Sequence, residues 1–333
     1  MRDVIGHRRL LDRLAARAAR DEVAHAYGIF GPRGIGKRTV ALRLAQTLEC
    51  GTHEAGGCGT CLSCRKIERG VHPDVRLVTR AGDRKLIGIE QIREMREDLA
   101  LRPLEGRRRV VILDDASELD QGQDALLKTL EEPPSHAVLL LLATTPAALH
   151  ETILSRLQPL TLRLVPPAEI EEALAARGIR EAGRFAAASA GRPGVALALA
   201  SGDALRAERE RVEAELYRLV ASGLTDRFAW AADLADESDP RRRAEAIDVR
   251  LMHWSELLRD ATVAARGDLA RPLRPTRRAE TDRLASSVSA SDLLGATLLV
   301  ERLRRDLAFN ANARAMLELF ALRLPYAPGV RPA

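Results

Sequence analysis

The chain has 333 residues, 46% of them apolar and 30% charged, which is enough for two or three domains around substantial cores. Aromatic residues make up only 3%, which disfavours a strand-rich sandwich and fits helices built from Ala, Leu and Arg. The 52 basic and 47 acidic residues leave a formal charge of +5, too mild to mark a nucleic-acid binder by itself.

No apolar run reaches the ~18 residues of a membrane span, so no membrane association is expected. The N-terminus lacks a signal-peptide pattern, and a cytoplasmic location is the expectation. Basic clusters such as "EGRRRV", "DPRRRAE" and "RPLRPTRRAE" read as solvated loops between helices rather than as phosphate contacts.

The first strand signal is "AYGIF", followed by "GPRGIGK" and the periodic helix "KRTVALRLAQTL". Gly31, Gly34, Gly36 and Lys37 stand where a phosphate-binding loop needs them. Glycines between a strand and a helix let backbone N–H groups curl around phosphate oxygens, and the lysine reaches the β/γ-phosphates. The residue after the lysine is Arg38, where a magnesium-holding Ser or Thr is expected. Thr39 is the next hydroxyl, but one residue along a helix rotates the side chain by ~100°. ADP or ATP binding through the backbone and Lys37 is therefore open, while ordinary Mg²⁺ coordination is not expected.

All four cysteines follow in "CGTHEAGGCGTCLSC": Cys50, Cys58, Cys61 and Cys64. Glycines there allow the tight turns that converge four thiolates, and sulfur-only tetrahedral ligation suits structural Zn²⁺. Spacing alone leaves an iron–sulfur cluster and free or redox-active cysteines open. His53 and His72 read as loop and turn residues rather than ligands.

Further on, "DVRLVT" is a strand and "IEQIREMREDLAL" an amphipathic helix with Ile89, Ile92, Met95 and Leu99 near one face. "RRVVILDD" is a β-branched strand ending in Asp114 and Asp115. Asp114 fits an indirect magnesium ligand, and Asp115 stands where an ATPase usually places a Glu that activates water. Two acids merely ending a strand is the simpler alternative. "GQDALLKTLEEPP" is a helix closed by prolines and "AVLLLLATT" another strand, after which Thr144 or Thr145 is placed to meet a γ-phosphate. "TILSRLQPLTLRLV" gives a short helix carrying Arg156 and a last strand. Strand and helix at this spacing imply a parallel sheet covered on both faces. The alternation stops at Pro166–Pro167, and everything beyond reads as helical. The expected domains are 1–165, 166–204 and 205–333, with "ASDLLGATLLVERLRRDLAFNANARAMLELFALRL" forming one long helix or two meeting near Asn310.

Taken together, the glycine loop, the four-cysteine insert, "DALLKTLEEPP" joined to "ILSR", and "FNANARAMLELFALRL" resemble the bacterial DNA polymerase III clamp-loader family, its delta-prime branch most of all. The resemblance implies an α/β P-loop AAA+ module, a small helical lid and an all-helical collar. It implies membership of a five-subunit ring with gamma/tau and delta subunits, which uses ATP to place a sliding clamp on primed DNA. Own ATPase activity is expected to be weak or absent, within a complex that belongs to the polymerase holoenzyme. The family's "SRC" motif reads Ser155–Arg156–Leu157 here, so Arg156 is expected to act in trans on a neighbour's ATP. Hydrolysing relatives carry a lid arginine in G-x-x-R-x-A-L, and this chain has Gly194 at that position within "GRPGVAL". With Arg38 and Asp115, that makes three departures from a motor subunit. A gamma/tau-like motor remains the alternative, and an unrelated P-loop enzyme a more distant one.

Overall fold

The computed structural model describes residues 4–52, 54–79, 87–116, 119, 122–267, 278–308 and 312–330. The chain divides into two compact units, Met1–Leu197 and Ala198–Ala333.

The first unit begins with helix α1 (Arg8–Ala19), strand β1 (Ala26–Phe30), α2 (Lys37–Glu49) and the short α3 (Leu62–Glu68). Then come β2 (Val75–Val78), α4 (Ile89–Ala100), β3 (Arg109–Leu113), α5 (Gly122–Glu131) and β4 (Ala137–Ala143). A 3₁₀ turn at Pro146–Ala148 leads to α6 (Glu151–Leu154) and β5 (Gln158–Thr161). β1, β3 and β4 are buried at every position, as near-continuous apolar runs in a sheet covered on both faces must be, with Arg109 at the start of β3 the one charged residue among them. The five strands pair in parallel in the order β2-β3-β4-β1-β5. β1 is thus flanked by β4 and β5, and the chain enters and leaves the sheet across it. In such sheets the crevice beyond the carboxyl ends of strands at this switch is the ligand position.

Pro166 ends the alternation. Pro167 takes the first position of α7 (Pro167–Ala175), where its missing N–H costs nothing. α8 (Ala182–Ala188) packs on α7, and α9 (Pro193–Ser201) carries the division between the two units.

The second unit is helical among its described residues: α10 (Asp203–Ala221), α11 (Leu224–Ala235), α12 (Pro240–Ala265), α13 (Arg278–Ser287), α14 (Ala290–Ala308) and α15 (Ala313–Arg323). The last segment is thus two helices, with 309–311 between them outside the described residues. α12 packs along α14, and α11 along α15. Their core centres on Trp254, which stacks on Phe320 at 5.0 Å between ring centroids and lies 5.4 Å from Trp230. Arg227 is buried in this unit. Its guanidinium donates to the carbonyls of Leu219 and Val220 at the end of α10, and to Ala321, Leu324 and Pro325 at the end of α15. These carbonyls lie at or just beyond helix ends, where the helix offers few N–H groups to meet them, so one buried cation serves two termini at once.

The structure corrects the reading of two basic clusters. Of "EGRRRV", Arg109 lies inside β3, 5% exposed, and pairs with Asp74 at 3.1 Å and with Asp98. Arg108 pairs with Asp21. A buried guanidinium needs partners of this kind, because an isolated charge there is strongly destabilising. "DPRRRAE" opens helix α12 instead of a loop. Residues 271–277 of "RPLRPTRRAE" lie outside the described residues.

Candidate functional site

The strand ends gather most of the residues expected at a phosphate site. The glycine loop leaves β1 after Phe30, Asp114 and Asp115 follow β3, and Thr144 and Thr145 follow β4. These three strands are neighbours and parallel, so the groups share one edge of the sheet. The Gly31 amide donates to the carbonyl of Ala143 at 3.3 Å, joining the loop to the end of β4. Thr144 is half-buried, Thr145 exposed, and Thr39 half-buried in the first turn of α2.

Within this cluster the cations are already engaged. The Lys37 ammonium donates to the carbonyls of Gly31 at 2.7 Å and Pro32 at 3.3 Å. Its pKa is lowered, chiefly by burial, with Asp115 and Asp114 opposing. Arg38 pairs with Asp114 at 3.8 Å and Arg33 with Asp115 at 3.6 Å. Both arginines are more than half exposed, so each pair adds little stability. Asp115 takes a left-handed backbone with φ of 64°, which Asp tolerates better than most side chains.

Gly194 has a reason to be glycine beyond the absence of an arginine. Its amide donates to the carbonyl of Gly34 at 2.8 Å, and a Cβ added at 194 would stand 2.8 Å from that same oxygen. Gly34, with φ of +79°, is met in turn by Val195, whose methyl would lie 2.7 Å from an added Cβ. The first turn of α9 therefore rests directly on the phosphate loop. Arg192 is buried, and its Nε donates to the Ser189 carbonyl at 3.1 Å.

The four cysteines converge. Their sulfurs lie within 4.8 Å of one another, compatible with a tetrahedron whose ~2.3 Å metal–sulfur bonds set sulfurs roughly 3.8 Å apart. Amides of Cys58, Cys61 and Cys64 donate to the sulfurs of Cys50, Cys58 and Cys61 at 3.3–3.4 Å, the pattern that supports negatively charged sulfur. Hydrogen bonding, from the Thr60 hydroxyl first, brings the Cys58 thiol down to about 5. Burial pushes Cys64 up to about 12, a penalty that a divalent cation would offset.

Sequence periodicity did not reveal what holds the insert. α2 buries a polar face beneath it: Arg43 donates to Gln46 and to the Gly56 carbonyl, Gln46 donates to the Cys64 carbonyl at 3.0 Å, and Thr47 accepts from the Gly56 amide at 2.8 Å. Gly57 (φ +78°) is squeezed between Gln46 and the Cys64 sulfur, where a Cβ would meet both within 3 Å. His72 is buried in a turn and accepts from the Asp74 amide through Nδ1. His53 lies outside the described residues.

Arg156 is elsewhere. It follows α6 rather than lying in it and precedes β5, whose Gln158–Thr161 runs in register with Tyr27–Phe30. It therefore lies at the strand-start edge, while the phosphate loop leaves the strand-end edge. At ~3.3 Å per residue the two are separated by roughly 13 Å or more of strand. Its guanidinium donates to the Thr152 carbonyl at 2.7 Å, the Ser155 hydroxyl at 3.2 Å and the Glu131 carboxylate at 2.8 Å. Glu131 lies in the segment "LEEPP", 25 residues before Arg156, and nothing local in the sequence ties the two together.

A glycine loop between a central parallel strand and a helix, with acids ending an adjacent strand, defines the P-loop class of nucleotide-binding modules. Residues 6–166 match the family model described as "DNA polymerase III, delta subunit". This segment, just under half of the chain, is similar to the clamp-loader family of AAA+ proteins. The DNA polymerase III subunit tau of Escherichia coli is 37% identical over 174 residues, 52% of this chain and 27% of that protein. The delta' subunit of Pseudomonas aeruginosa is 39% identical over 139 residues, 41% of this chain and 42% of that protein. The chain thus spans less than half the length of these relatives. A gamma subunit-related protein of Thermotoga maritima superposes with a TM-score of 0.48 at 16% identity, covering 94% of this chain and 97% of that one.

Proposed function

We propose that the chain is a delta-prime-type stator of the DNA polymerase III clamp loader, which hydrolyses little ATP itself and lends Arg156 to a neighbouring subunit's nucleotide. In this reading residues 1–165 are the AAA+ domain, 166–204 the lid and 205–333 the collar. The ring would contain gamma/tau and delta subunits, and meet the sliding clamp and primed DNA mainly as an assembled complex. The observation that carries the reading is the placement of Arg156 on the sheet edge opposite its own phosphate loop. A guanidinium there serves no phosphate of its own subunit and lies on an edge from which it can face another's.

The state of the loop supports the same reading. Arg38 replaces a metal-holding hydroxyl and pairs with Asp114, and Gly194 leaves the lid without its sensing arginine. Cys50, Cys58, Cys61 and Cys64 would hold one structural Zn²⁺, a closed site with no position for a reacting water. The motor alternative draws on the retained Lys37 and on the tau relatives matched over the same segment.

Nucleotide binding and hydrolysis by the isolated chain, then by the reconstituted complex, separates the two. The isolated chain should show almost no turnover, and Lys37→Ala should change the complex's rate less than twofold. A loss comparable with that from Arg156→Ala would instead make this chain a motor.

A further inference from the structure

Arg156 does not project freely, because three of its N–H groups are held by neighbouring acceptors. A guanidinium has five N–H donors. Three are committed: two bonds from one terminal nitrogen to the Thr152 carbonyl and Ser155 hydroxyl, and one from the other to Glu131. Two donors remain, the number that a bidentate contact to phosphate uses. The local acceptors Thr152 and Ser155 travel with Arg156 on the same turn. Glu131 comes from a different helix, so it alone fixes the guanidinium relative to the rest of the sheet.

Glu131 is well placed to do this. It is the last residue of α5, and the following Pro133 pushes Glu132 away from helical geometry, ending the helix there. α5 is anchored by buried Leu126 and Leu130, and the turn bearing Arg156 by buried Ile153 and Leu157. The carboxylate and the guanidinium therefore stand on two separately anchored elements that pack against each other. Both side chains are substantially exposed, 51% for Glu131 and 34% for Arg156, so their pairing contributes little to fold stability. An exposed pair of small stabilising value, built from two fixed backbones, is better explained by where it holds the arginine.

The geometry points to Glu131 as a positioning residue that holds Arg156 in the orientation required by the neighbouring subunit's ATP. This rests on the trans role of Arg156 proposed above. Without Glu131, the long side chain must be ordered anew each time the phosphoryl group transfers. Ordering one such side chain corresponds to about a three- to tenfold factor.

The test uses the reconstituted loader with DNA-stimulated ATP hydrolysis as readout, and compares Glu131→Ala, Glu131→Gln and Arg156→Ala. Glu131→Ala should lower kcat about three- to tenfold with KM for ATP unchanged and the melting temperature of the chain unaltered. Glu131→Gln keeps the accepting oxygen and should recover most of that loss. Normal kcat in Glu131→Ala beside a slow Arg156→Ala overturns the positioning role and leaves the trans arginine standing. A rise in kcat would mark Glu131 as a competitor of phosphate and overturn it too, as would failure of Glu131→Gln to recover the rate. Normal turnover in Arg156→Ala removes both readings together.

Discussion

Replacing Arg156 with Ala should leave the chain folded and the ring assembled, yet slow hydrolysis at the site it serves about 10³-fold. The folding half of this expectation follows from exposure. The pair with Glu131 lies at the surface, and losing such a pair costs ~0–1 kcal/mol. The catalytic half follows from charge. A transferring phosphoryl group spreads negative charge over its oxygens, and a guanidinium delivered from outside stabilises the transition state more than the bound ground state. Arg156→Lys should recover little, because an ammonium keeps the charge without the planar fork. The check is DNA-stimulated phosphate release by the complex, with size-exclusion chromatography and melting curves as controls. Normal release would end the proposal.

The second large effect concerns the four cysteines. Purified, fully reduced protein should carry one zinc per chain, and Cys64→Ser should lose it. Structural zinc contributes about 10–16 kcal/mol of binding free energy in small domains, so the insert should not keep its shape without metal. The structure specifies where the loss would be felt. Cys64 and Gly57 pack on Gln46, and the Gly56 amide and carbonyl are held by Thr47 and Arg43. Amide hydrogen exchange should therefore accelerate sharply at 54–64 while β1, β3 and β4 stay protected. Losing the insert would also take the Gly56 carbonyl from Arg43 and the Cys64 carbonyl from Gln46, which lowers the stability of α2 by a further ~1–3 kcal/mol. Finding no zinc in fully reduced, folded protein would defeat the structural-site assignment, and visible absorbance would point to an iron–sulfur cluster instead.

The parts of this molecule that could be read from sequence are those coded by neighbours in the chain. "AYGIF", "VVIL" and "AVLLLLA" are continuous apolar runs, and all three are buried strands. The cysteine spacing announced a convergence that the sulfur positions bear out. Long-range partners account for what was missed. Arg109 looked like one more basic surface residue because Asp74, the acid that neutralises it, lies 35 residues away. The polar face of α2 carried no apolar period to flag its burial, since the insert covers it with hydrogen bonds rather than hydrophobic contact. Gly194 was legible as a missing arginine, but its hydrogen bond to the Gly34 carbonyl required the fold. Glu131 sits in a motif whose prolines mark a helix end, and its partner Arg156 lies 25 residues further on.

One consequence of the aromatic cluster bears on how this protein is watched. Its two tryptophans, Trp230 and Trp254, both belong to the C-terminal unit, and Trp254 is wholly buried there. Indole emission is consequently a report on that unit alone. A denaturation curve followed at tryptophan wavelengths can be smooth, reversible and single-stepped while the sheet, the phosphate loop and the cysteine insert melt unseen. Tyr27, buried in β1, is the one tyrosine before residue 198. Its weaker signal, or release of the metal itself, is the optical handle on the half of the chain where the proposed chemistry resides.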